Sequence, residues 1–281
     1  DAMQVHWPLV ISTACQRAGL GLLLCVVFAN AVLGSQLPSN IACLVALALL
    51  CAGGIASVFH LQRPSRFFNA FSNPKSHLTQ EGFITPFLGV ALIAAGLDGI
   101  AFNAGAASAG LLCIAAVLAL AFLVCTGLAY QMKSRPAWST KLVFALFLLT
   151  AVAAGFMGAY ALALLEGDEA ANKILTCGLA ATIAAAAVQT AYVSRMKHVG
   201  YGVAYDAMKQ PYRPYALGWV ALTVAALILA ALCIAVPSAM LACVAWALYV
   251  ISVALWTALF FKGAHKVRMF PMYADDLNLD M

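Results

Sequence analysis

The feature that most constrains this chain is a succession of eight long apolar stretches separated by short polar segments. Each stretch has about 20 residues, the length that an α-helix needs to cross the hydrocarbon core of a bilayer. Only 9% of the residues are charged, whereas a typical soluble domain has roughly 25%. The pattern predicts an all-α integral membrane protein, a bundle of eight transmembrane helices at residues 9–33, 41–59, 83–102, 107–130, 142–165, 174–193, 215–236 and 239–261.

The predicted organisation is a single polytopic membrane domain over residues 1–281, with both termini on the same face because the number of spans is even. The stretch at residues 9–33 is longer than the core of a signal peptide, and no basic segment precedes it. We therefore expect it to remain in the protein as the first span.

Basic residues concentrate on the face that is predicted to hold both termini, which we call the basic face. All of the 15 Lys and Arg except Arg17 and Lys173 lie in the loops at residues 59–83, 130–142 and 193–215 or after the last span. The positive-inside rule would make this face cytoplasmic. A basic face can also be a docking surface for an acidic partner, so the orientation stays open between these two explanations.

The histidines and cysteines are not arranged as metal ligands. The five histidines lie on or next to the basic face, and the nine cysteines are scattered through the spans with no Cys-x-x-Cys pair. Haem groups that cross a bilayer need histidine ligands inside the helices, and zinc sites and iron–sulfur clusters need grouped ligands. We therefore expect no metal or haem in this chain.

The loop after the second span carries a spaced motif, HLQRPSRFFNAFSNPKSHLTQEGF, at residues 60–83. It resembles the DMSO reductase membrane anchor subunit family, in the wider group of polytopic anchors of molybdopterin reductases. The pattern of that family is H-L-G-x-P-x-R-A followed by S-x-L-S-x-E. Gln62 and Phe67 depart from it, and the matching positions are His60, Leu61, Pro64, Arg66, Ser76, Leu78, Thr79 (for Ser) and Glu81.

Two further segments are similar to the same family. HWPLVIST at residues 6–13 is similar to its opening W-P-L and the threonine that follows. Tyr130 and SRPAWST at residues 134–140 are similar to its tyrosine and P-x-W-[NS]-T. After Thr140 no comparable motif is present.

The resemblance implies a membrane anchor subunit of a respiratory molybdoenzyme complex in the prokaryotic cytoplasmic (inner) membrane. Such an anchor binds and oxidises a quinol, usually menaquinol, and passes the electrons to an iron–sulfur subunit with 4Fe-4S clusters. That subunit serves a molybdopterin catalytic subunit, so the anchor itself is not the catalytic chain. The functional His and Glu of the family correspond to His60 and Glu81.

The chemistry of these two residue types agrees with that implication. Quinol oxidation releases two protons and two electrons, so its site needs proton acceptors, and histidine and carboxylate side chains serve as such. His60 ends the second span and Glu81 stands at the start of the third, so both are expected at one membrane level around the quinol headgroup. The alternatives are a solvated interfacial histidine and a carboxylate that is favoured by the helix dipole.

Arg17 is the one basic residue deep in a predicted span, ~12 Å along the first helix from Leu9 at 1.5 Å per residue. A charge at mid-bilayer costs roughly 2.5–3.5 kcal/mol on insertion scales, so the side chain is expected to face the bundle interior or a partner. The sequence predicts that Arg17 pairs with Glu81 or with a quinol oxygen. The alternative is that it snorkels to the basic face.

Tyr130 and Arg66 complete the set of candidate residues at the basic face. Tyr130 closes the fourth span and could donate a hydrogen bond to the quinol, or it could be an aromatic-belt tyrosine. Arg66 could dock the partner subunit or brace its own loop.

Two other classes of function compete with quinol oxidation. A secondary transporter would place polar groups and broken helices at the bilayer midplane, whereas here the polar groups crowd one membrane edge and only Arg17 and Asp98 intrude. A purely structural membrane anchor would tether its partners and transfer nothing.

Overall fold

The computed structural model describes residues 6–58, 73–133, 135–198, 205–206, 209 and 212–263 of the chain. Eight helices in these ranges are long and apolar enough to cross a membrane, and no strand occurs in them. This confirms the predicted all-α membrane architecture. A helix satisfies the backbone N–H and C=O groups with hydrogen bonds inside the segment. Apolar stretches of this length therefore form helices in lipid.

The eight helices follow the predicted spans closely. Their bounds are α1 Trp7–Phe28, α2 Ser39–Val58, α3 His77–Leu97, α4 Ser108–Ala129, α5 Lys141–Glu166, α6 Ala171–Met196, α7 Arg213–Ala235 and α8 Ala239–Lys262. A π-helical turn, Ala29–Leu33, continues α1, and a 3₁₀ turn, Gly105–Ala107, precedes α4.

Several helix ends are set by residues that suit a cap. The Thr140 hydroxyl precedes α5 and accepts a hydrogen bond from the Leu142 N–H at 3.3 Å. The Ser238 hydroxyl precedes α8 and accepts one from the Leu241 N–H. Gly167 follows α5 with a φ of 67°, a left-handed conformation that glycine adopts without steric cost.

The third helix is displaced from its prediction, residues 83–102. It begins at His77, because the polar residues before Phe83 form its first two turns at the basic face, and it ends at Leu97. Asp98 has an extended backbone with ψ of 131°, and its carboxylate accepts a hydrogen bond from the Ala104 N–H at 2.8 Å. Asp98 therefore lies in the turn beyond α3, and this bond holds the pKa of its carboxyl below its usual range.

The helices pack as two rings of four. In the first bundle α1 contacts α2, α2 contacts α3, α3 contacts α4, and α4 returns to α1. In the second bundle α5, α6, α7 and α8 close in the same order. The rings are joined where α1 packs against α5 and α8, and where α4 packs against α5.

The junction of the two bundles is built on α1 and α5. Their apolar segments are 78% and 67% buried, against 17–33% for the other six helices. A Cβ added at Gly21 of α1 would lie 2.0 Å from the Ala151 carbonyl oxygen, and one at Gly155 of α5 would lie 2.2 Å from the Gly21 oxygen. The two backbones are therefore in direct contact, as small residues allow in membrane proteins.

Candidate functional site

Glu81 lies in the second turn of α3, near the basic face, and its side chain is partly buried. Its Oε2 atom accepts a hydrogen bond from the Thr126 hydroxyl of α4 at 2.9 Å. The Thr85 hydroxyl, one turn further along α3, donates instead to the Glu81 backbone oxygen at 2.8 Å. The carboxylate is thus directed into the contact between α3 and α4.

Thr126 is a partner that the sequence did not single out. It is 3% exposed, and its hydroxyl oxygen lies 3.0 Å from the Phe122 carbonyl oxygen as well as 2.9 Å from the Glu81 carboxylate. Threonines in helices commonly bond the carbonyl four residues earlier. A threonine in an apolar span therefore gives no signal that it also contacts a neighbouring helix.

Tyr130 follows α4 directly and is held in a cluster of aromatic rings. It stacks on Phe147 with 4.8 Å between ring centres and meets Trp138 edge-on at 5.6 Å. Trp138 in turn stacks on Phe260 at 4.9 Å and donates from Nε1 to the Phe260 carbonyl oxygen at 3.3 Å. Tyr130 and Trp138 both belong to the part of the sequence that is similar to the family's tyrosine and P-x-W-[NS]-T. Their side chains pack on α5 and α8.

The Tyr130 ring also connects the two charged residues of the site. Its hydroxyl is within electrostatic range of both Glu81 and Arg17. Tyr130 therefore interacts with Glu81, which lies at the contact of α3 and α4, and with Arg17, which lies at the junction of the bundles.

Arg17 faces the interior, as predicted for a charge inside a span, and is 2% exposed. Its Nε donates to the Thr13 carbonyl oxygen at 2.9 Å and its Nη1 to the Thr150 hydroxyl at 3.1 Å. Its Nη2 donates to the Thr257 hydroxyl, and the guanidinium carbon lies 4.7 Å from the centre of the Phe147 ring. The guanidinium thus ties α1 to α5 and α8.

These contacts correct one expectation about Arg17. The sequence predicts Glu81 or a quinol oxygen as its partner. The first of these is wrong, since Glu81 bonds Thr126 and Arg17 bonds threonines, and the quinol oxygen stays a prediction. The physical reason is direction: Arg17 faces the second bundle, whereas Glu81 faces α4 within the first. Snorkelling to the basic face does not agree with a side chain that is 2% exposed.

Two of the predicted residues, His60 and Arg66, lie outside the described residues. The expected pairing of His60 with Glu81 therefore stays a prediction. Within the described ranges, no group of three or more His, Cys, Asp or Glu side chains is close enough together to hold a metal ion.

A family profile described as "DMSO reductase anchor subunit (DmsC)" matches residues 3–262 of the chain. The match runs through all eight helices, and so includes the second bundle, in which no short motif is evident. No curated protein sequence matches the chain.

Proposed function

This chain belongs to the DMSO reductase anchor subunit family, and we propose that it oxidises a quinol at the basic face and passes the electrons to an iron–sulfur subunit. The family supports the coarser part of this function, a multi-pass membrane anchor that associates with an iron–sulfur subunit and a molybdopterin catalytic subunit. Menaquinol, or another quinol of the prokaryotic inner membrane, is the proposed electron donor.

The observation that carries the proposal is the placement of Glu81. Its carboxylate is partly buried one helical turn inside the basic face, within hydrogen-bond distance of Thr126 and within electrostatic range of Tyr130. In this proposal the headgroup of a quinol that enters from the bilayer reaches the carboxylate, which accepts a proton there.

The proposed reaction removes two protons and two electrons from each quinol. Glu81 accepts one proton and His60, which the family motif pairs with it, accepts the other. Both protons then leave to the aqueous side of the basic face, where the basic loops, Arg66 among them, dock the iron–sulfur subunit that takes the electrons. The clusters that receive the electrons belong to that partner subunit.

Tyr130 and Arg17 have supporting roles in this proposal. The Tyr130 hydroxyl donates a hydrogen bond to a quinol oxygen. The Arg17 cation lies over the Phe147 ring, on which Tyr130 stacks, and there a fixed positive charge stabilises the negative charge that develops on a quinol oxygen as its proton leaves. Direct contact between Arg17 and the quinol is not required.

The test is quinol-dependent reduction of the partner's clusters in the assembled membrane complex, followed by electron paramagnetic resonance. We expect Glu81→Gln and a His60→Ala variant each to slow this reduction at least about tenfold, the lower end of what positioned proton acceptors contribute. Reduction of the same clusters by dithionite is expected to be unchanged, because dithionite bypasses the anchor.

Glu166→Gln is the matched control. Glu166 is an exposed carboxylate at the end of α5 on the opposite face, so the same change of charge is made away from the site. Wild-type rates in Glu81→Gln and His60→Ala, with the complex present at its normal amount, would refute the assignment of the site. That result would instead support a purely structural membrane anchor.

A further inference from the structure

We propose that Thr126 is a positioning residue that holds Glu81 in both of its protonation states, so that the carboxyl can take and release a proton without moving. The proposal rests on quinol oxidation as the function of the site. It assigns a role to a residue that lies outside the family motif and outside the quinol contacts proposed above.

The geometry gives the Thr126 hydroxyl two partners of different kind. Its oxygen lies 2.9 Å from Glu81 Oε2 and 3.0 Å from the Phe122 carbonyl oxygen. A hydroxyl carries one proton and two acceptor lone pairs, so it can donate to only one of these oxygens at full strength. When it donates to the Phe122 carbonyl, the contact with Glu81 can run in the reverse direction, from a carboxylic O–H to the threonine oxygen.

When Glu81 is ionised, the Thr126 hydroxyl donates to Oε2, which only accepts. When Glu81 has taken a proton, its carboxylic O–H donates to the Thr126 oxygen, and the threonine proton turns to the Phe122 carbonyl. In both states the Thr126 hydroxyl and Glu81 Oε2 keep each other as hydrogen-bond partners, and only the hydroxyl proton rotates. The proton that moves comes from the quinol, so Thr126 gains and loses none.

This arrangement matters because Thr126 is 3% exposed. A buried polar group without a partner is destabilising, and a site in lipid has little water to supply one. A partner that serves both protonation states therefore removes a penalty that either the ionised or the protonated carboxyl would otherwise carry.

Few titratable groups face Glu81 from the elements packed against it. The thiol of Cys125 and the hydroxyl of Tyr130, both at the end of α4, interact electrostatically with the carboxylate. On α3 itself, His77 bonds Gln80 at 3.0 Å. His60, which the sequence places after α2, lies outside the described residues.

The experiment measures quinol oxidation by the whole complex as a function of pH in Thr126→Val, Thr126→Ser and wild type. Valine keeps the shape of threonine but removes the hydroxyl. Hydrogen bonds to charged groups are the stronger ones, so valine disfavours the ionised carboxylate more than the protonated one. We expect the acidic limb of the profile to move up by about 1 pH unit, with the quinol KM changed less than about twofold.

Thr126→Ser restores the hydroxyl and is expected to restore the wild-type profile. Thr85→Val is the matched control, since it removes a hydroxyl from the next turn of α3 that bonds the Glu81 backbone and not its carboxylate. We expect its profile to coincide with that of wild type. If Thr126→Val reduces the amount of assembled complex, Thr126→Ala is measured in its place with the same expectation.

The outcomes separate this inference from the function on which it rests. If Glu81→Gln is inactive but both Thr126→Val and Thr126→Ala keep the wild-type pH profile, the role of Thr126 is refuted while the quinol site stands. A shift in Thr126→Ser as large as in valine also refutes it. Full activity of Glu81→Gln overturns the proposed function, and this inference with it.

Discussion

Threonine hydroxyls bond the two charged side chains, Glu81 and Arg17, that the structure describes at the candidate site. Glu81 accepts from Thr126, and Arg17 donates to Thr150 and Thr257. The sequence predicted that Arg17 faces the interior, because an unpaired charge in lipid is costly. The sequence could not predict the partners. Each threonine also bonds a carbonyl of its own helix, so nothing in the sequence distinguishes it from other threonines in apolar spans.

We predict that Thr257→Val lowers the free energy of unfolding by about 1–2 kcal/mol. This value lies between the usual contribution of a helix–helix hydrogen bond in membranes and the cost of an unsatisfied buried donor. The reason is that Arg17 Nη2 loses its acceptor and stays buried. Reversible unfolding in mixed micelles of mild detergent and dodecyl sulfate measures the change.

A double-mutant cycle isolates this bond. In an Arg17→Met background, which keeps the length of the side chain without its donors, Thr257→Val is expected to cost less than about 0.5 kcal/mol. An equal cost in both backgrounds would mean that the hydroxyl acts through its own helix alone.

At the scale of single helices, the apolar stretches predicted seven of the eight spans to within about three residues, because lipid demands a helix of a certain length wherever the chain is apolar. The third span was shifted by six residues at its start, from Phe83 to His77. The polar residues at the start of this helix carry no hydropathy signal, and Glu81 in its second turn is among them. Its position in the helix therefore needed the structure.

The contact between α1 and α5 leads to a prediction about Gly21. We expect Gly21→Ala to lower the free energy of unfolding by about 1–3 kcal/mol, the usual cost of overpacking a well-packed interior. The added methyl group would lie 2.0 Å from a backbone oxygen of Ala151, so the helices have to separate, and the same unfolding experiment detects it.

Gly54→Ala is the control for this substitution. Gly54 is exposed in α2, and a Cβ there meets nothing within 4 Å. Because alanine favours a helix over glycine by about 1 kcal/mol, Gly54→Ala is expected to be neutral or stabilising. A Gly21→Ala variant as stable as Gly54→Ala would contradict the close crossing of α1 and α5.

For the whole molecule, the number of spans could be predicted, but the pairing of the two rings could not. In lipid every helix is apolar all round, so no amphipathic face in the sequence indicates which neighbours a helix has. Only α1 hints at its central place, through Arg17. The contacts among α1, α4, α5 and α8 that form the junction come from the structure.

Eight spans predict that both termini and the loop at residues 59–72 share one side of the membrane. We expect protease-accessible tags before residue 1, after Met281 and in that loop to be cleaved together, either in intact spheroplasts or only after lysis. A tag in the turn at Gly167, which joins α5 to α6, is expected to behave oppositely. Different accessibility of the two terminal tags would contradict an even number of spans.

The positions of its partners in the chain also determine when during synthesis Arg17 can form all of its hydrogen bonds. Thr150 and Thr257 lie 133 and 240 residues after Arg17 in the chain. At a translation rate of about 5–20 residues per second, the second of these partners is made roughly 12–48 s after the arginine. Until then the guanidinium of α1 lacks its final acceptors. A polypeptide that stops before α8 therefore has no Thr257 to accept the hydrogen bond of Arg17 Nη2.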